Sequence, residues 1–198
     1  KEQGALPMSV DDAVTMMKPN YDNYCFSENK LADCMFNSDM VLYCMKSLIL
    51  HGVKPKEIVD PNIRTDFNKL AYLVRLDHGL GENFSVIKEI AEQGEIVTEI
   101  VTHFSALEMT DVGNFKSLLF YFGLLSIKGV DMMGRPILHI PNLVVREQLF
   151  NFLIQGYARH DIFKLDVNRL RTLFENMSFK GDWKPMFEFL AEAIREQS

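Results

Sequence analysis

The chain has 198 residues, 47% of them hydrophobic and 24% charged, ordinary values for a globular protein of one domain or two small ones. Its net charge of −6 and its lack of any Lys/Arg run argue against a dedicated nucleic-acid binder, because phosphate contacts dominate such affinity and leave a basic footprint. No apolar run approaches the roughly 20 residues that span a bilayer, and no signal-peptide pattern opens the chain. Cys25, Cys34 and Cys44 make an odd count without CxxC spacing. They read as reduced, partly buried thiols of a cytoplasmic protein.

In chain order, Ser9 caps a first short helix, with Asp12 at the third position and Pro19 ending it. Tyr21 to Ser27 (YDNYCFS) is an aromatic loop or short extended piece whose rings read as structural plugs. Asn37 or Ser38 caps a strong helix with Met40, Val41, Cys44, Met45, Leu48 and Ile49 on one face, closed by Gly52. Val53 to Asn62 is a linker, and Thr65 caps the next helix. His78 to Glu82 is a turn without the Lys-Ser/Thr ending or preceding strand of a phosphate loop. Asn83 or Ser85 starts a helix through Val86, Ile87 and Ile90 that ends near Gly94. Residues 95–103 (EIVTEIVTH) fit either period; their β-branched content favours a strand that pairs with the following hairpin.

The stretch from Asp111 to Leu153 reads as helix, strand, tight turn, strand, helix. Asp111 or Asn114 caps a helix carrying Phe115, Leu118, Leu119 and Phe122, and Gly123 closes it. Leu124, Leu125, Ile127 and Val130 favour a strand, Asp131 to Arg135 a turn, and Ile137, Leu138 and Ile140 a second strand. Pro141 and Asn142 stop that strand, and Asn142 caps a helix whose apolar face is Val144, Val145, Leu149, Phe150 and Leu153. Leu118, Leu119, Phe122, Leu125, Ile127, Leu138, Ile140, Val145 and Leu149 are expected to be buried together. After a link at Asp161 to Lys164, Asp166 caps a helix with Leu170, Leu173 and Phe174. Lys180 to Asp182 is a turn, and Asp182 caps the last helix. That helix shows a broad apolar face of Trp183, Met186, Phe187, Phe189, Leu190, Ala193 and Ile194, suited to the core or to a neighbouring domain. The expected fold is mainly α with a small antiparallel β-hairpin, a helical bundle containing a winged-helix-like helix–hairpin–helix module.

Catalytic chemistry has no local support. His51, His78, His103, His139 and His160 show no metal-ligand spacing, and there is no GxSxG elbow. In a winged helix the helix before the wing often enters the major groove. Here it would present one cation, Lys116, among Phe115, Leu118, Leu119, Phe120, Tyr121 and Phe122, so it is expected to be buried instead. The residues nearest to a nucleic-acid footprint are Lys116, Lys128 and Arg135.

Four phrases carry a likeness: FNSDMVLY (36–43), VDPNIRTDFNKL (59–70), SLLFYFGLLSI (117–127) and LHIPNLVVREQL (138–149). Together they resemble a large bacterial family with an N-terminal AAA-ATPase-like domain and a C-terminal PD-(D/E)XK nuclease-like domain. YDNYCFS resembles that family's aromatic-Asp-Gly-Tyr-x-Phe-Ser signature at the end of the ATPase part, with Asn23 in place of Gly. Asn tolerates a left-handed backbone, so the turn is expected to survive. The resemblance implies the middle of such a protein. Residues 1–36 would be the tail of the ATPase-like part, 37–160 a helical region with the hairpin, and 161–198 a helical pair leading toward the nuclease-like part. Both chain ends read as cut. The phosphate loop would lie upstream and the nuclease Asp…Glu-x-Lys motif downstream. No catalytic, cofactor or metal residue is therefore expected within the chain, with ATP and Mg held only by the upstream domain. The implied role is a non-catalytic lid, linker or interaction region. Its partners would be the neighbouring domains of its own parent, with self-association a further option. Nucleic acid would be reached only through the parent, and no membrane is involved. The alternative is a winged-helix-like nucleic-acid-binding module.

Overall fold

A computed structural model describes residues 6–57, 81–160 and 166–196. The linker beyond Glu57, the helix from Thr65, the phrase at 59–70, most of the turn from His78 and the link at 161–164 lie outside the described residues. The chain forms two compact units, Lys1–Phe150 and Asn151–Ser198. Among the described residues there are seven α-helices and one three-stranded antiparallel sheet, as expected of a mainly α protein with a small hairpin.

The first unit opens with α1 (Val10–Tyr21) and α2 (Ser38–His51). Ser9 Oγ accepts the Asp12 N–H at 3.1 Å, which starts α1 as expected. Pro19 does not end the helix; α1 continues to Tyr21. Proline in the last turn removes a single donor, and the buried Tyr21 holds that turn against the core. Asn37 caps α2 by accepting the Met40 N–H at 3.1 Å, and Gly52 closes it at φ 71°. Ala13, Met17 and Tyr21 of α1 pack with Met40, Cys44 and Leu48 of α2 and with Val144.

The rest of the unit is built on the sheet. Helix α3 (Glu82–Gln93) begins at Gly81 and stops at Gly94, which adopts φ 81°. Strand β1 (Glu95–Val97) follows at once. It covers only the first third of the stretch expected to be extended. Beyond it, Ser117 Oγ accepts the Val101 N–H at 2.9 Å, and the Tyr121 hydroxyl donates to Val101 O at 3.2 Å. The Thr98 N–H still donates to Pro136 O at 3.2 Å, and bonds to the next helix then draw the chain off the sheet edge at Val101. After a 3-10 turn at Ala106–Glu108 comes α4 (Val112–Tyr121). Asp111 takes its cap position without a side-chain bond, while Asn114 Nδ2 donates instead to Glu108 O at 2.9 Å.

Strands β2 (Ser126–Val130) and β3 (Pro136–His139) form the hairpin. Leu124 and Leu125 were expected in β2, but their N–H groups donate to Leu119 O at 2.9 and 3.2 Å, so they stay folded onto the end of α4. The strand order is β1-β3-β2, which is the order of a winged-helix sheet. Ile96, Leu138 and Ile127 line up across the three strands and are all buried. Phe115, Leu118 and Leu119 of α4, Ile87 and Ile90 of α3, and Val145 and Leu149 are buried too. Phe122 alone of the nine residues expected in this core is only half-buried.

Helix α5 (Leu143–Arg159) starts where Asn142 Oδ1 accepts the Val145 N–H at 3.1 Å, as expected. Val144, Val145, Leu149 and Leu153 are buried, whereas Phe150 is exposed. In the second unit Asp166 caps α6 (Val167–Lys180), and Gly181 closes it. The last helix, α7 (Lys184–Arg195), starts from Trp183 and not from Asp182. Pro185 in its first turn supplies the starting geometry without a capping side chain. Arg169 stacks over the Phe189 ring at 4.9 Å, joining α6 to α7. Phe174, Phe179, Trp183 and Phe187 remain exposed.

Candidate functional site

Among the described residues a buried polar cluster lies where the aromatic loop meets the hairpin. Asn23 adopts φ 72°, the left-handed turn expected at this position, and among the described residues it is the one non-glycine to do so. The turn sends Tyr24 and Cys25 back along β2. Ile127 N–H donates to Cys25 O at 2.9 Å. Ser126, fully buried, accepts the Cys25 N–H at 2.7 Å through Oγ and donates its own proton to Asn23 O at 2.7 Å. One hydroxyl thus satisfies two backbone groups roughly 100 residues away in sequence. Asn142 works from the other side: Nδ2 donates to Asp22 O at 3.1 Å while Oδ1 caps α5. The buried Tyr24 phenol is pushed up by desolvation, which outweighs its bonds to the Asn142 and Asn37 side chains. Phe26 is stacked on Tyr24 at 6.3 Å and meets Phe120 edge-on at 5.6 Å. The Asp22 carboxylate is buried, with Oδ1 lacking a hydrogen-bond partner among the described residues. Residues of the segments 21–27, 117–127 and 138–149 therefore meet in one packed junction.

The three cations singled out for nucleic acid are placed differently. Lys128 and Arg135 lie on the hairpin, and each is ion-paired. Lys128 Nζ is 2.5 Å from Glu95 Oε2, and Arg135 NH2 is 2.8 Å from Asp131 Oδ2. Lys116 lies on α4 in an open groove with Glu82, Ser85 and Glu89 of α3. The exposed side of α4 is narrow: Phe115, Ser117, Leu118, Leu119 and Phe120 are all buried. The expectation that this helix faces inward is met. The wing turn is tightly ordered. Asp131 accepts from the backbone N–H groups of Met133 at 2.9 Å and Arg135 at 2.8 Å and from Arg135 Nε at 2.8 Å. These bonds, the Arg135 N–H first, hold the Asp131 carboxyl below its ordinary value. Met132 and Met133 project from the tip, fully in solvent.

Comparison of the chain with models of protein families, with curated proteins and with solved structures finds no match.

Among the described residues no group of three His, Cys, Asp or Glu side chains is arranged to hold a metal ion. His51, His103 and His160 are exposed. His139 is half-buried on β3, opposite both Glu95 and Ser126. Burial lowers its pKa, Lys128 lowers it further, and Glu95 opposes both. His78 lies outside the described residues. No helix among the described residues is long and apolar enough to cross a membrane.

Ser126 is the junction residue that sequence reasoning passed over. Its one local signal is a hydroxyl inside the apolar run LLSI, at a strand position where Val or Ile would otherwise serve. Asn142 was legible as a helix cap but not as the partner of Asp22, because that partner lies 120 residues away.

Proposed function

We propose that this chain is a non-catalytic lid, linker or interaction region of a cytoplasmic AAA-ATPase-like protein with a nuclease-like C-terminal part. The observation that carries this reading is the junction. The loop resembling the end of the ATPase part is hydrogen-bonded to Ser126 of β2 and to Asn142 at the start of α5, within the resembling phrases at 117–127 and 138–149. A displacement of that loop would be passed directly to β2 and to the start of α5. The exposed Phe179, Trp183 and Phe187 of the second unit add support, since apolar groups in such number suit a neighbouring domain.

The strand order β1-β3-β2 favours a second reading, a winged-helix-like nucleic-acid-binding module. Against it stand the buried α4, the ion-paired Lys128 and Arg135, and the net charge of −6. Co-expression tests the first reading. Produced as a separate polypeptide beside the ATPase-like part of its parent, the chain is expected to co-elute with it. Alone it should neither turn over ATP nor cut DNA. Separate elution, or either activity in the isolated chain, would overturn the reading.

A further inference from the structure

Tyr24 and Met35 exchange both backbone hydrogen bonds in antiparallel sense, Tyr24 N–H to Met35 O at 3.0 Å and Met35 N–H to Tyr24 O at 2.9 Å. They form the hydrogen-bonded position of a local two-stranded ribbon. One residue further toward the turn, Cys25 stands opposite Cys34. The Cys25 backbone groups point the other way, to Ser126 Oγ and Ile127 N, as they must at a non-hydrogen-bonded position. Residues so paired have Cα atoms about 4.5 Å apart and side chains on one face. That separation falls within the roughly 4.4–6.8 Å that a disulfide spans. The Cys25 sulfur lies 3.5 Å from Lys30 O and the Cys34 sulfur 3.5 Å from Leu31 O, so both border adjoining carbonyls of the turn they enclose. Cys34 is exposed and Cys25 is buried, while Cys44 is buried in the α1–α2 cluster.

We propose that Cys25 and Cys34 are an oxidation site, a cross-strand thiol pair that a small-molecule disulfide converts into an intramolecular disulfide closing residues 25–34. Cys34, the accessible thiol, loses its proton to solvent and attacks one sulfur of oxidised glutathione, expelling the other as a thiolate. Cys25 then loses its proton and attacks the Cys34 sulfur, expelling the second glutathione thiolate. Two protein thiols are oxidised, one small disulfide is reduced to two thiols, and no other reactant is needed. Desolvation pushes the Cys34 thiol up, and Cys25, Asp22 and Asp33 push it further. Exchange is therefore slow near neutrality and quickens as pH rises, because the thiolate is the nucleophile.

The test is mapping of the unsubstituted chain. The protein is incubated with oxidised glutathione at mildly alkaline pH, quenched in acid, alkylated and digested for mass spectrometry. The expected product is a Cys25–Cys34 linked peptide, lighter by two hydrogens than the reduced pair, with Cys44 alkylated. Cys25→Ser should trap glutathione on Cys34, and Cys34→Ser should leave the buried Cys25 unmodified. Should Cys25→Ser fail to fold, the map of the unsubstituted chain decides alone. Glutathione accumulating on Cys34 without the link, a link between two chains, or three alkylated thiols after treatment that oxidises a control dithiol would each overturn the proposal.

Discussion

Ser126→Ala is the substitution that strikes the junction most directly. It deletes one oxygen and alters no apolar contact of note, so its cost follows from the groups it strands. The Cys25 N–H is buried and has Ser126 Oγ as its partner at 2.7 Å; without it the donor stays dry and unpaired. The Asn23 carbonyl belongs to an exposed residue and recovers a bond from water. One stranded buried backbone donor costs about 1–3 kcal/mol. For a chain of this size that corresponds to a fall of roughly 2–12 °C in the melting midpoint, taking about 2–4 °C per kcal/mol. Differential scanning fluorimetry measures the shift, and hydrogen exchange locates it. The Cys25 and Ile127 amides should lose protection together, while amides of α7 should not change. Ser178→Ala, at an exposed helical position, should stay within about 0.5 kcal/mol. An unshifted midpoint with full protection at Cys25 would refute the reasoning that this hydroxyl joins loop to hairpin.

Other substitutions test neighbouring parts of the structure. Phe115→Ala empties a site with no exposed surface and is expected to cost about 3–5 kcal/mol, read from urea unfolding. Asn23→Gly should hold or raise the melting midpoint, since a left-handed residue bearing a Cβ costs about 1–2 kcal/mol, and Asn23→Ala should lower it, since Ala keeps the Cβ and loses the polar side chain that eases that conformation. His139 has a folded pKa below its ordinary 6.5, so the folded state disfavours its proton. Its contribution is fully present above that value and is lost as pH falls through the folded pKa. Melting midpoints taken from mildly alkaline to mildly acidic pH should therefore fall more steeply for the native chain than for His139→Gln. An equal slope would remove His139 as the cause.

Much of the fold was legible because its signals are local. Asn37, Asn142 and Asp166 each cap from three residues away, and Gly52, Gly94 and Gly181 close helices in the left-handed conformation. The hairpin was legible for the same reason, its turn being made by Asp131, Arg135 and Gly134 within five residues. What stayed hidden depends on competition between distant groups. Residues 98–103 have strand composition, yet Ser117 and Tyr121 claim Val101. Leu124 and Leu125 are strand formers, yet Leu119 O holds their amides. The junction itself was unreadable from spacing, because Ser126 finds its partners 101 and 103 residues away. Cys25 and Cys34 carry no motif in the sequence, since only the Tyr24–Met35 bridge sets them opposite one another.

The inward-facing α4 ahead of the hairpin is the central feature of this molecule, and DNA binding at low salt tests it most directly. Electrostatic affinity for duplex DNA is greatest there, so a reader of DNA would reveal itself. Fluorescence anisotropy of a labelled duplex titrated with the chain is expected to stay flat, with Lys116→Glu, Lys128→Glu and Arg135→Glu indistinguishable from the native chain. A saturable rise that collapses with added salt and is abolished by those substitutions would contradict the inward-facing α4 and restore the module as a nucleic-acid binder.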